Sequence, residues 1–210
     1  RELEPRPKVG ELRLDLLTDE WISMAPARQT RAFLPPKELC PLCPTKPGLE
    51  TEIADSNYQV VVFDNKSPSF AAPTKDFELP TNDGRNTKNA EAAGHCEVIC
   101  FTDHHDGSLG TIDISQMRIV MEAWRDRVKE LSKLPYVEHI FPFENRGEEV
   151  GVTLNHPHGQ IYAYSYLPPR VEKMLAVARK YKEDFGKVLF DEILKRELTD
   201  KVRIVCQNEF

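Results

Sequence analysis

The sequence has no surplus of positive charge to offer a phosphate backbone. Its 28 lysines and arginines are outnumbered by 34 aspartates and glutamates, giving a formal net charge of -6. That balance excludes a general nucleic-acid binder and leaves room for a small local phosphate site. No run approaches the roughly 20 apolar residues of a membrane span, so no membrane association is expected. No charged, apolar, small-residue leader opens the chain, and its first residue, Arg1, points to a trimmed or disordered start before it. A disulfide scaffold is disfavoured as well. The five cysteines are an odd count, and Cys40 and Cys43 stand three apart, a pattern suited to a reducing compartment, by default the cytoplasm. Short repeats and low-complexity tracts are missing too. What remains is a chain of 210 residues, 40% hydrophobic and 30% charged, the composition of a soluble globular domain with enough length for a real core.

Strand patterns dominate. Residues 10–25, "GELRLDLLTDEWISMA", read as two short strands around a polar turn. "PARQTRAFLPPKELCPLCPTKPG" is a proline-rich loop, because its prolines cannot supply ladder donors. "YQVVVFDN", "HCEVICF", "YVEHIFPFEN" and "QIYAYSY" read as further strands. Cys96, Val98 and Cys100 share one face by their period of two. "DISQMRIVMEAWRDRVKELSKL" is the clearest helix. Its apolar stripe is Met117, Val120, Met121, Trp124, Val128 and Leu131, and Asp113 or Ser115 is available as its cap. Residues 170–198 look helical and charged, with a break near Gly186, and residues 201–210 begin a new strand. The fold class expected is α+β, with a mainly antiparallel sheet and one long helix.

Chemistry concentrates in two places. Cys40 and Cys43 on a proline-rich loop can bring two thiolates to one zinc, with a redox dithiol as rival. Prolines 41 and 44 argue against the helix start that a redox pair uses. The second place is "LNHPHGQIYAY", residues 154–164. An extended backbone there puts His156, His158 and Gln160 on one face; Pro157 stiffens the chain, and Gly159 is expected to let a bulky anion approach. Zinc would be closed by Cys40, Cys43, His156 and one of His104 or His105. Such a full shell is structural rather than Lewis-acidic. His158 is then free as a nucleophile or base, a role imidazole fills well at phosphorus near neutral pH. His95 and His139, in strands, read as ordinary packed or surface residues.

These residues resemble the galactose-1-phosphate uridylyltransferase family of the histidine-triad superfamily. The resemblance is carried by "FENRG…GVTLNHPHGQIYAYSYLP", "DEWISMAPARQTR", the CxxC, "VVVFDN" and "VICFTDHHDGSL", in that family's order from about residue 10 to 170. It implies a histidine-triad-like α+β fold with a zinc-stabilised loop. His158 matches the nucleophile and Gln160 the glutamine that hydrogen-bonds the transferred phosphoryl group. Cys40, Cys43 and His156 match zinc ligands, and the fourth ligand aligns with His105 rather than His104. Arg28, Arg31, Asn65, Asn145, Gly151, Val152 and Thr153 match positions that contact the nucleotide sugar, and Lys66 stands where some members have a nucleotide-contacting acidic residue. The activity implied is transfer of UMP from UDP-glucose to galactose 1-phosphate through a uridylyl-histidine, a step of galactose metabolism. Gln160 agrees with this. Related hydrolases have a third histidine there to protonate a leaving group; a glutamine cannot, and suits a sugar phosphate that already leaves well.

Members are about twice as long as the matched region. Residues 1–198 are therefore expected to form the N-terminal domain and 199–210 the start of a second half. Some members carry a second, iron-type site; Met174 stands nearest the glutamate it uses, so that site is expected to be absent. A homodimer, or association with a separate C-terminal half, is the expected assembly. The rival functions are another nucleotide-sugar phosphorylase or nucleotidyl transferase, or a zinc-stabilised nucleotide-binding module without turnover.

Overall fold

The strand that carries the HPHGQ motif lies inside a sheet, and its two neighbours decide what each of its faces does. The computed structural model describes residues 10–15, 20–25, 35–79, 89–150, 152 and 154–209, without the Glu148 side chain. Within the unit ending at Tyr166, the strands are β1 (Glu11–Asp15), β2 (Glu20–Met24), β3 (Val61–Asp64), β4 (Asn89–Glu91), β5 (Gly94–Cys100), β6 (His139–Phe143) and β7 (His158–Tyr164). A single long helix, α1 (Ile114–Leu131), stands between β5 and β6. One sheet runs β2-β1-β4 and a larger one β3-β5-β7-β6, with every named pair antiparallel. This is the α+β architecture expected, with the short β4 as an addition.

Alternation divides the large sheet. On one face Ile99, Ile161 and Ala163 are buried with Phe101 beneath α1, whose Val120 and Leu131 are also buried. The helix begins where Asp113 accepts a hydrogen bond from the Gln116 N–H at 2.8 Å, an ordinary N-cap. Its buried line is narrower than the sequence stripe, since Met121 and Val128 are exposed. Arg127 lies on the inward line instead, one turn beyond Ala123 and Trp124, and grips Glu97 of β5 through Nε and Nη2 at 2.6–3.1 Å.

The opposite face is covered at its two ends. Leu12, Ala92 and Trp21 of the small-sheet region meet Phe70, Cys96, Tyr162 and Tyr164 at one end. At the other, Cys40 and Leu42 from the proline-rich loop and Ile53 just beyond it pack with Cys100, Val98 and Leu154. Between those two clusters β7 presents His158 and Gln160, opposite Cys100 and Val98 of β5.

The second unit runs from Leu167. It contains α2 (Pro169–Phe185) and α3 (Leu189–Asp200). Gly186, at φ 66°, caps α2 in the left-handed region, which a glycine enters without strain. Residues 201–209 form no strand, contrary to expectation. Val202 and Val205 there are exposed, and among the described residues no neighbouring strand is aligned to pair with them.

Candidate active site and metal centre

Four ligand atoms from three separate segments converge. The thiols of Cys40 and Cys43 and one ring nitrogen each of His105 and His156 lie within 4.8 Å of one another. Cys43 Sγ is 3.5 Å from Nδ1 of His105 and 3.5 Å from Nδ1 of His156. His104 is turned away, its side chain 84% exposed beside Asp103. The CxxC is presented on a turn after a short 3-10 segment, Lys37–Leu39, and Lys37 is ion-paired with Asp106, next to His105.

The buried His156 has one usable tautomer. Its Nε2 is 2.8 Å from the Thr102 carbonyl oxygen, which can only accept, so Nε2 carries the proton and Nδ1 a free pair facing the thiols. Tyr58 adds a second tie, with its hydroxyl 2.9 Å from His156 Nε2 while donating to the Leu42 carbonyl at 2.9 Å. Burial takes the His156 pKa down to about 4, and burial together with Cys40 pushes the Cys43 thiol up to about 11. A cation at the centre reverses that tendency for the thiols, because a coordinated thiol ionises. This donor set fits a metal ion. Tetrahedral zinc, with bonds of about 2.3 Å to sulfur and about 2.05 Å to nitrogen, needs a sulfur–nitrogen edge of about 3.5 Å, the separation found at both histidines.

His158 stands two residues on. Its Nδ1 lies 2.7 Å from the His156 carbonyl oxygen and must donate to it, which leaves Nε2 unprotonated. Burial lowers its pKa against the smaller opposing effect of that bond, so the ring is neutral at pH 7. The His156 carbonyl thus orients the neighbouring histidine, and His156 itself is held by the Thr102 carbonyl, the Tyr58 hydroxyl and the Cys43 thiol. A cavity of about 260 Å³ opens beside His158, lined also by His105, Asp106, Asn145, Arg146 and Val152.

Other expected residues are distributed as follows. Asn65 is buried, and its Nδ2 donates to Gln160 Oε1 at 3.2 Å. Lys66 is ion-paired with Glu52 at 3.0 Å. Asn145 lines the cavity, and the Val152 N–H donates to the Gly147 carbonyl at 3.3 Å. Arg28, Arg31, Gly151 and Thr153 lie outside the described residues. Gly159 has a different reason from the one expected. It belongs to the core face, where a Cβ would lie 2.7 Å from the Phe143 carbonyl and 2.8 Å from the Phe101 ring; its bareness admits neighbouring protein, not an anion. Arg146, which donates to the Gly107 carbonyl at 2.8 Å, was not singled out by the sequence. Its place directly after Asn145 was the available signal.

The family described as galactose-1-phosphate uridyl transferase, N-terminal domain, matches residues 3–168. The chain belongs to that family. Galactose-1-phosphate uridylyltransferase of Streptomyces lividans is 42% identical over 210 residues, which is 100% of this chain and 53% of that protein. The Thermotoga maritima enzyme of the same name is 39% identical, covering 89% of this chain and 57% of its own. A solved uridylyltransferase structure superposes with a TM-score of 0.76 at 27% identity, over 95% of this chain and 59% of that one. An ADP-glucose phosphorylase from Arabidopsis thaliana, solved with ADP-glucose bound, gives 0.57 at 25% identity over 84% and 55%. The chain thus spans a little over half the length of these curated relatives.

Proposed function

We propose that this chain is the nucleotide-transferring half of a UDP-glucose–hexose-1-phosphate uridylyltransferase. It would move UMP from UDP-glucose to galactose 1-phosphate through a uridylyl-histidine. The observation that carries this reading is the hydrogen bond from His158 Nδ1 to the His156 carbonyl, at 2.7 Å, which leaves a neutral Nε2 with its lone pair free. That nitrogen attacks the α-phosphorus of UDP-glucose. A nitrogen–phosphorus bond forms as the bond to the bridging oxygen breaks, and the electron pair departs with glucose 1-phosphate. A phosphate oxygen of galactose 1-phosphate then attacks the same phosphorus and returns the pair to His158. Neither step needs a proton at the leaving group, which accords with Gln160 rather than a third histidine. The Gln160 amide stabilises charge on the phosphoryl oxygens, where one well-placed donor is worth about 3–4 kcal/mol. Arg28, Arg31, Asn145 and the 151–153 segment hold the nucleotide sugar.

Zinc is the metal we assign to Cys40, Cys43, His105 and His156. Four protein ligands close a structural shell, so its part is to fix the backbone that aims His158. Residues 1–198 are assigned to the N-terminal domain and 199–210 to the start of a second half, and the assembly proposed is a homodimer or association with a separate C-terminal half. The cytoplasm is the compartment proposed.

The test is incubation with UDP-glucose labelled at the α-phosphate. Acid-labile label should appear on the wild type and be lost in His158→Ala, with zinc content unchanged. Label that persists in that variant would refute the nucleophile. Similarity to the ADP-glucose phosphorylase supports a second reading, adenylyl transfer, and faster labelling from ADP-glucose than from UDP-glucose would establish it.

A further inference from the structure

The Gln160 side chain carries both a donor and an acceptor, and only the donor is useful to a phosphoryl oxygen. What chooses between them is Asn65, at the end of β3. The Ser67 backbone N–H donates to Asn65 Oδ1 at 2.9 Å, and an N–H can only donate, so the oxygen of the Asn65 amide is fixed on that side. Its Nδ2 therefore faces Gln160 and donates to Oε1 at 3.2 Å. The planar Gln160 amide then has its oxygen engaged and Nε2 turned away from Asn65. Gln160 shares its sheet face with His158, since Val98 opposite the first and Cys100 opposite the second lie on one face of β5. Asn65 is only 5% exposed, and its backbone N–H is held by the Cys96 carbonyl at 2.9 Å. The orienting group is thus rigid and shielded from water, which would otherwise compete for both hydrogen bonds.

We propose that Asn65 is a positioning residue, whose side chain sets the rotational state of the Gln160 amide so that Nε2, not Oε1, is offered to the transferred phosphoryl group. This rests on the uridylyl-transfer reading for the identity of the ligand, but the orientation itself does not. The sequence places the two residues 95 positions apart, and their meeting depends on β3 and β7 both flanking β5.

The isosteric variant Asn65→Asp isolates the effect. One carboxylate oxygen still accepts from Ser67, so the turn after β3 survives, but the other can no longer donate. Gln160 must rotate to give Nε2 to the carboxylate, which presents Oε1 to the cleft. Two measurements follow. In 1H–15N spectra of the 210-residue chain, the Gln160 side-chain amide, assigned by its loss in Gln160→Ala, should move downfield in Asn65→Asp. Unchanged Gln160 amide signals would overturn the proposal, whether or not the chain turns over.

The second measurement is the rate of α-phosphate labelling at saturating UDP-glucose, in whichever preparation labels: the chain alone or supplemented with a second-half polypeptide. Asn65→Asp should slow it by about 100-fold, the usual loss for one misdirected donor at developing charge, with half-saturation unchanged within about twofold. In a Gln160→Ala background the same substitution should change the rate by less than about twofold, because a residue acting only through Gln160 has nothing left to orient. An equal loss in both backgrounds would show that position 65 acts on substrate directly and would overturn the proposal. Absence of label in the wild type together with a shifted Gln160 amide would remove the transfer reading and leave the orienting role standing.

Discussion

His95 should make the stability of this chain fall as the solution turns alkaline. The imidazole lies 3.0 Å from Asp64 and 3.5 Å from Glu97, and Glu97 also receives Arg127 from α1. The bond to Asp64, then that to Glu97, raises the His95 pKa from 6.5 to about 9. Burial alone would push the Glu97 carboxyl up, but His95 and Arg127 more than offset it and hold it below its usual range. A histidine whose pKa is higher folded than unfolded contributes all of its stabilisation below the unfolded value and loses it as pH climbs through the folded one. The window is therefore about pH 6.5 to 9. At about 1.4 kcal/mol per tenfold change in proton affinity, the rise from 6.5 to about 9 corresponds to about 3 kcal/mol. The side chain is 26% exposed and Asp64 60%, so screening by water reduces the expected effect to about 2 kcal/mol. Urea unfolding of wild type and His95→Gln at equal zinc loading measures it. The wild type should be the more stable by about 2 kcal/mol near pH 6, with the gap closing by about pH 9.5. Using the difference between the two proteins cancels the thiols and tyrosines that titrate in the same range. An equal gap at both ends, or one that widens with pH, would refute the charged His95–Asp64–Glu97 arrangement.

Gly159→Ala should destabilise the fold by about 2 kcal/mol in urea unfolding, as overpacking does, because its new Cβ meets a backbone carbonyl at 2.7 Å; a neutral result would remove the packing explanation. Asp113→Ala should cost about 1 kcal/mol through loss of the α1 cap without altering zinc content, and a change of only a few tenths would mean that the bond to Gln116 contributes little. Metal analysis of the wild type should find about one zinc per chain. Cys40→Ser should lower both that content and the unfolding midpoint, and zinc that stays put would break the proposed shell.

Much of this site was visible as residue types in order. The CxxC, the HPH and the Gln two residues later announce their chemistry by spacing, and alternation placed His156, His158 and Gln160 together. The pairing partners were not visible, because they depend on register across strands. Nothing in "FDN" says that Asn65 will meet Gln160; that follows from Asn65 lying just beyond the Asp64↔Glu97 pair while Val98 stands opposite Gln160. Arg127 was passed over because it sits among charged neighbours on a helix, yet it occupies the inward line. Its partner Glu97 lies mid-strand between Cys96 and Val98, where an acid on a sheet face covered by a helix calls for a cation. His95, read as an ordinary strand histidine, belongs to the same group, and the shared period of two with Glu97 was the signal that could have found it.

Gly159 connects the packing to the chemistry. A strand's side chains alternate, so sliding β7 by one residue against β5 would turn His158 and Gln160 into the core and bring Gly159, Ile161 and Ala163 out to the cleft. The hydrophobic face resists this, with Ile161 and Ala163 fully buried. Two glycines fix the same register from both ends. Gly159 fits beneath the Phe143 carbonyl of β6 and the Phe101 ring, and Gly94 on β5 fits against the Ala163 carbonyl, where a Cβ would lie at 2.2 Å. No other residue type could occupy either position without moving backbone, so both glycines favour the one alignment that faces His158 into the cleft. The cluster of Cys40, Cys43, His105 and His156 then acts at finer scale. It holds His156, whose carbonyl fixes the His158 ring, while Asn65, just past the edge strand β3, fixes Gln160 from across β5. Register sets which side chains face the cleft, and these local hydrogen bonds set which of their atoms are presented there.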